Sequence, residues 1–272
     1  MAKIHRRSGK DLERMREACR TAAEILQLTA KEIKPGVTTK DVEDAARQFM
    51  AERSCKSVFY KYRGFPGYIC ISLNDEVVHG IASSKRRIQY GDIVKIDVGI
   101  VKNGWVGDNA MTVPVGEIDP RTRHLLWATE EALETAIGFA REGNRLEDIC
   151  SSVERIVRQW KYTVVREFVG HGVGKKLHED PQIPNFGVPG TGPLLKSGMI
   201  FALEPMVNLG TERVKIQKDN WTVNTLDGLP SAHYEHSVLI TKGDPEILTP
   251  RPRLIPATMP PVGLGMGGSV EK

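Results

Sequence analysis

The stretch Ile93–Pro114, IVKIDVGIVKNGWVGDNAMTVP, reads as two strands joined by Asn103-Gly104. Asn-Gly is the favoured pair for a two-residue hairpin turn, because both central positions of that turn need positive φ. Counting outward sets Lys102 opposite Trp105, Gly99 opposite Asp108 and Asp97 opposite Ala110. Side chains alternate along a strand, so Asp97 and Asp108 share one face as diagonal neighbours, with Cβ atoms roughly 7–8 Å apart. One or two metal ions can bridge that span. Carboxylates among β-branched residues are costly to bury unless a positive charge compensates them.

Two further carboxylates repeat the pattern: Glu204 in MIFALEPMV and Glu235 in SAHYEHSVLI. Pro205 favours extended backbone at Glu204. Arg and Lys are scarce in all four stretches, although Lys95 and Lys102 are close by. His79 in VVHGI and His171 in VGHGV supply imidazole, and His178 follows His171 across GVGKKL. By alternation His233 shares the face of Glu235 while His236 points away, so both are expected to support the site from behind. Four carboxylates and an imidazole make a hard, oxygen-rich set, suited to Mn, Fe(II), Co or Zn at a two-metal centre. The reaction class is metal-assisted hydrolysis, best fitted to an amide. No GxSxG, P-loop or dinucleotide fingerprint competes.

Around this hairpin the apolar spacing predicts helices from Asp11 to about Lys34, from Thr38 or Thr39 through Met50, from Arg121 to Arg141 and from Leu146 to Trp160. Strand-like runs cover 58–81, 93–114, 162–169, 199–207 and 234–241. Gly36, Asp41 and Val42 match Gly143, Asp148 and Ile149 at one offset, and Gly91, Ile93 and Asp97 match Gly198, Ile200 and Glu204 at the same offset. The VVHGI and VGHGV phrases pair at a shorter one. The chain therefore reads as one domain, residues 1–250, of two α+β halves at roughly 11–115 and 120–248 around a shared sheet. Residues 181–198 read as a surface loop, a flap over the cleft, and 251–272 as an extended or disordered Pro/Gly-rich tail.

Composition restricts the classes further. With 272 residues, 40% hydrophobic and 26% charged, the chain is an ordinary globular one, and a net charge of +4 makes no case for nucleic acid. Basic runs at Lys3–Lys10 and Lys85–Arg87 suit solvated loops, with a transient ribosome contact as the minority reading. Four cysteines without CxxC spacing argue against disulfides and a zinc knuckle. No signal-like or membrane-length apolar run is found, so the expectation is a cytoplasmic protein, a monomer by default, with no membrane partner.

The phrases KIDVG, GDNAM, GHGVG, LEPM and YEHS, carrying Asp97, Asp108, His171, Glu204 and Glu235, resemble type 1 methionine aminopeptidase. HEDPQIPNFG around His178, VVHGI around His79 and KDNWTVNT around Trp221 extend the likeness over about Leu12–Leu248. The resemblance implies the pita-bread fold, two pseudo-symmetric halves around a curved antiparallel sheet. It also implies removal of the initiator methionine from nascent chains with a small second residue. Asp97, Asp108 and Glu235 would hold one ion, and Asp108, His171, Glu204 and Glu235 the other. His79 would bind substrate and aid proton movement, His178 the scissile carbonyl or oxyanion, and Glu204 the water proton. Phe59, Tyr62, Phe65, Cys70 and Trp221 would line the methionine pocket. Phe65 stands where the family often has Tyr, Leu177 where an aromatic is common, and Phe59 where a smaller residue is common. The rivals are a proline-specific aminopeptidase or dipeptidase, whose relatives carry a further N-terminal domain, and a metal-free binding protein of the same fold.

Overall fold

The structure is a computed structural model and describes residues 4–258. Helix α1 (Gly9–Lys31) buries Met15, Ala18, Cys19, Ala22, Ile25 and Leu26 along one stripe. Each fully buried Ile or Leu contributes about 1.5–3 kcal/mol of apolar transfer. Helix α2 (Thr39–Glu52) starts at a capping box, with Thr38 Oγ1 accepting from Asp41 N and Asp41 accepting from Thr38 N. Strands β1 (Lys56–Ser57), β2 (Cys70–Leu73), β3 (Glu76–Val78), β4 (Ile93–Lys102) and β5 (Trp105–Pro114) complete the first half. The helix reaches the β4–β5 ribbon closely because Gly107 lacks a Cβ, which would meet Ala18 O at 2.5 Å.

The second half opens with α3 (Pro120–Phe139), capped by Asp119, and α4 (Leu146–Gln159). Strands follow as β6 (Thr163–Val164), β7 (Gly170–Gly172), β8 (Glu179–Ile183), β9 (Ile200–Leu203), β10 (Met206–Asn208), β11 (Val214–Ile216), β12 (Val223–Thr225), β13 (Ser231–His233), β14 (His236–Leu239) and β15 (Glu246–Ile247). β4 lies between β1 and β2 on one side and β5 on the other; β9 lies between β14 and β7. All named strand pairs are antiparallel.

Equivalent positions make equivalent bonds. Gly36 N donates to Ile88 O and Gly143 N to Leu195 O; Thr39 N donates to Arg86 O and Leu146 N to Pro193 O. Gly36 and Gly143, at φ 89 and 97, both use the left-handed region that glycine tolerates. Two ribbons, β4–β5 and its counterpart β9–β10 with β13–β14, meet along a seam. There Thr112 Oγ1 donates to His233 O, Ser237 Oγ donates to Asp108 O, and Glu235 N donates to Ala110 O.

Several expectations need correction. Residues 58–81 hold only β2 and β3 with a turn at Tyr62–Gly64, and 162–169 hold only β6, because sheet pairing there is short. The VVHGI and VGHGV match does not carry into the sheets. His171 faces Ala202 across β7–β9, while Ser72 faces Lys95, the residue equivalent to Ala202, across β2–β4. His79 lies outside any strand at φ 59. Of residues 181–198, read as a loop and flap, 181–183 end strand β8 and 184–198 lie against the second half. They are tied to the start of α4 by Val188 N to Glu147 Oε2 and Gly190 N to Asp148 Oδ1. Residues 251–258, read as tail, pack on α3: Arg251 pairs with Glu130, and Trp127 Nε1 donates to Ala257 O. The tail beyond Thr258 lies outside the described residues.

Candidate active site

The Asn103-Gly104 turn, at φ 52 and 77, closes a ribbon in unbroken register from Lys102↔Trp105 to Ile93↔Pro114. Gly99 faces Asp108 and Asp97 faces Ala110, which turns both carboxylates to one face. In the other half the equivalent ribbon is broken. β9 ends at Leu203 and β14 starts at His236, so Glu204 and Glu235 occupy the two interruptions rather than strand interiors. Register is the same on both sides of the break, His236↔Leu203 and Met206↔His233. His233 therefore stands where Asp108 stands in the first half.

The two ribbons bring these groups together. Ligand atoms of Asp108, His171 and Glu235 lie within 4.8 Å of one another, all buried. His171 Nε2 is 3.7 Å from Asp108 Oδ2 and 3.4 Å from Glu204 Oε1, and His233 Nε2 is 3.7 Å from Glu204 Oε2. His171 Nδ1 donates to Gly172 O at 2.9 Å, which places the lone pair on Nε2, toward the carboxylates. Gly172 must lack a side chain, since a Cβ would meet Asp180 O at 2.3 Å.

Electrostatically the cluster is under tension. Burial, then repulsion from neighbouring carboxylates, pushes Asp97, Glu204 and Glu235 well above the usual carboxylate range, and burial pushes Asp108 up to about 7. Burial also lowers the imidazoles: His171 and His233 to about 3 and His79 to about 4. Asp97 Oδ1, Asp108 Oδ1 and Glu235 Oε1 are buried without a hydrogen-bond partner. Among the described residues no Lys or Arg pairs with any of the four carboxylates. Lys95, fully enclosed, instead donates to Asn74 O and Ser231 O. Orphaned oxygens, a directed imidazole lone pair and no protein cation fit a divalent ion.

A cavity of about 740 Å³ opens onto this cluster. Asp97, His171, Glu204, His79, His178 and His233 line it, while Asp108 and Glu235 lie deeper. His79 meets Phe168 edge-on, with ring centroids 5.3 Å apart. His178 Nδ1 bonds Tyr62 Oη at 2.8 Å, and its basicity is lowered by burial and then by Arg63. The five methionine-pocket candidates adjoin the site, Tyr62 through its bond to His178. Cys70 faces Asp97 across β2–β4, Phe59 covers Gly99, and Phe65 packs edge-on against Trp221 at 5.2 Å. His5, Arg7, Arg63, Lys175, Lys176, Glu167 and Phe168, absent from the sequence-based set, do line the cavity. Local pattern carried no signal for them, since each reaches the wall from a loop.

The model of Metallopeptidase family M24 matches residues 13–242. The chain belongs to this family. M24 membership brings divalent-metal use with it, in accord with the donor set. The chain is 45% identical over 243 residues to methionine aminopeptidase of Clostridium acetobutylicum, covering 89% of this chain and 97% of that protein. It is 46% identical to methionine aminopeptidase 1 of Bacillus subtilis, covering 89% and 98%. The crystal structure of methionine aminopeptidase from Thermotoga maritima superposes with a TM-score of 0.90 at 42% identity, over 92% of this chain and 100% of that one. A prolidase of Pyrococcus horikoshii shares the fold at TM-score 0.74 and 22% identity, this chain spanning 65% of it. The fold is the pita-bread fold of these M24 enzymes.

Proposed function

We propose that this chain is a methionine aminopeptidase that removes the initiator methionine from new polypeptides when the second residue is small. The observation that carries the reading is the buried carboxylate cluster around His171 at the floor of an open cleft. The near full-length likeness to methionine aminopeptidases supports it. In this reading Asp97, Asp108 and Glu235 would hold one divalent ion and Asp108, His171, Glu204 and Glu235 would hold a second, drawn from Co, Mn, Fe(II) or Zn. Bound ions supply Lewis-acid chemistry and offset the clustered negative charge.

The protein groups then have separable tasks. Tyr62 donates its hydroxyl proton to His178 Nδ1, so the neutral ring keeps its own proton on Nε2. That N–H donates to the scissile carbonyl oxygen and to the oxyanion that develops there. Glu204 takes the proton of the attacking water. His79, held neutral by burial, binds substrate and passes the proton toward the leaving amine. Phe59, Tyr62, Phe65, Cys70 and Trp221 receive the thioether, whose sulfur is favoured against aromatic rings. The catalytic unit has halves at roughly 11–115 and 120–248, with 251–258 packed on α3, and acts as a cytoplasmic monomer with transient contact at the ribosome. Among the described residues no helix is long and apolar enough to cross a membrane.

The test is hydrolysis of Met-Ala-Ser and Met-Leu-Ser after chelation and add-back of single metals. Metal-dependent cleavage of the first and little of the second is expected. Release of proline-adjacent residues instead would move the assignment to a proline-specific peptidase. No metal binding and no cleavage would make it a binding protein.

A further inference from the structure

The mouth of the cleft carries cations that the proposed chemistry leaves unused. Arg63, Lys175 and Lys176 line it. Arg7 is already engaged, donating to both oxygens of Glu179 at 2.9 and 2.7 Å. The Lys175 ammonium lies over the Trp105 ring, 5.3 Å from its centroid. Arg63 and Lys176 make no salt bridge among the described residues, and both are exposed.

Arg63 is the better placed of the two. Its guanidinium lies 5.5 Å from the centroid of Tyr62, the residue whose hydroxyl holds His178. It is close enough to His178 to act on that ring electrostatically. Its backbone sits at φ 49, ψ 22, the left-handed region where Asn or Gly would be less strained. The turn thus gives no backbone reason for arginine. Glu167 and Asp180 also line the cavity, so with Arg7 paired to Glu179 and the proposed metal ligands set aside, Arg63, Lys175 and Lys176 outnumber the wall's remaining carboxylates three to two.

We propose that Arg63, assisted by Lys176, reads the third residue of the substrate and favours an acidic side chain there. The inference rests on the reading of the cleft as a methionine aminopeptidase site with His178 at the scissile carbonyl. From that carbonyl an extended peptide reaches its third residue within roughly 7 Å, inside the sweep of an arginine on the adjoining turn. A free carboxylate on a short peptide would compete for the same cations, so C-terminally amidated peptides are the proper probes.

Met-Ala-Ser-Ala-Ala-amide, Met-Ala-Asp-Ala-Ala-amide and Met-Ala-Lys-Ala-Ala-amide are compared with the metal-loaded enzyme at low and at high salt. The Asp peptide should exceed the Lys peptide roughly fivefold in kcat/KM, mostly through KM, as expected for a partly exposed ion pair. The preference should shrink with added salt. Arg63→Asn should lose most of the preference while unfolding at the same or a higher temperature, because Asn suits the left-handed backbone. Arg63→Glu should reverse it. Equal rates for the Asp and Lys peptides, with the Ser peptide cleaved, overturn the inference and leave the assignment standing. A preference that survives Arg63→Asn and Arg63→Glu also overturns it. Failure to cleave the Ser peptide overturns the assignment, and the inference with it.

Discussion

The two ribbons at the heart of this molecule do the same job with different backbones. β4–β5 runs unbroken through Asp97 and Asp108 and turns in two residues. Its counterpart is interrupted at Glu204-Pro205 and Tyr234-Glu235, and joins its strands through the β11–β12 excursion. Where the first ribbon places Asp108 the second places His233, and where the first has Ala110 the second has Glu235. A regular hairpin holds side chains only at pleat positions. A break frees Glu204 and Glu235 from the pleat, so that they converge on groups supplied by the other half. Duplication supplied the frame, and irregularity in one copy supplied the convergence.

The largest effect should come from the residue that both halves share. Asp108→Asn is expected to lower kcat/KM at least ~1000-fold and to reduce bound metal, measured by elemental analysis. Stripped of metal, the same variant should be more stable than the parent at pH 8, on the order of 2–4 kcal/mol, because a strained buried charge is gone. A parent-like rate would break the claim that the ribbons converge there.

The pH response of the chelated protein follows from the same charges. Raised carboxylates favour the folded state while protonated, so this stabilisation is complete below about pH 4 and lost as pH rises through the folded value, about 7 for Asp108. His171 and His233, lowered to about 3, work in the opposite sense and lose their contribution as pH falls from about 6.5 toward 3. Above about pH 6.5 the histidines are neutral in both states, so denaturant midpoints of chelated protein should fall between about pH 6.5 and 8 as the carboxylates ionise, and metal should abolish the fall. A flat profile would show that the cluster is not strained.

Smaller effects separate the ribbons. Thr112→Val leaves the buried His233 N–H and C=O without their hydroxyl, at a cost of about 1–3 kcal/mol. Hydrogen exchange should quicken at 231–239 more than at 93–102. Gly104→Ala, at φ 77, should cost about 1 kcal/mol in thermal stability with methionine release unchanged. A larger loss of activity would mean that the hairpin tip is coupled to the site.

Local rules made the first ribbon legible. Asn103-Gly104 selects a turn, the turn sets the register, and register with pleating puts Asp97 and Asp108 on one face. The four helices were also readable, because apolar spacing and a capping residue such as Thr38 are local signals. The second ribbon resisted the same treatment. Alternation assigned His233 and His236 to opposite faces of one strand, whereas the chain breaks between them. The likeness of VVHGI to VGHGV was real as sequence, yet His171 lies in a strand and His79 does not.

The sequence by itself determined the inventory: four carboxylates with imidazoles on a duplicated α+β frame, and the family to which that inventory belongs. Only the tertiary structure decided which atoms meet. Glu235 reaches Asp108 because its N–H bonds Ala110 across the seam, and Arg63 reaches the cleft from a strained turn. Such contacts join residues far apart in the chain, and their geometry depends on how two halves pack. A periodicity or a turn motif reports only on neighbours along the backbone.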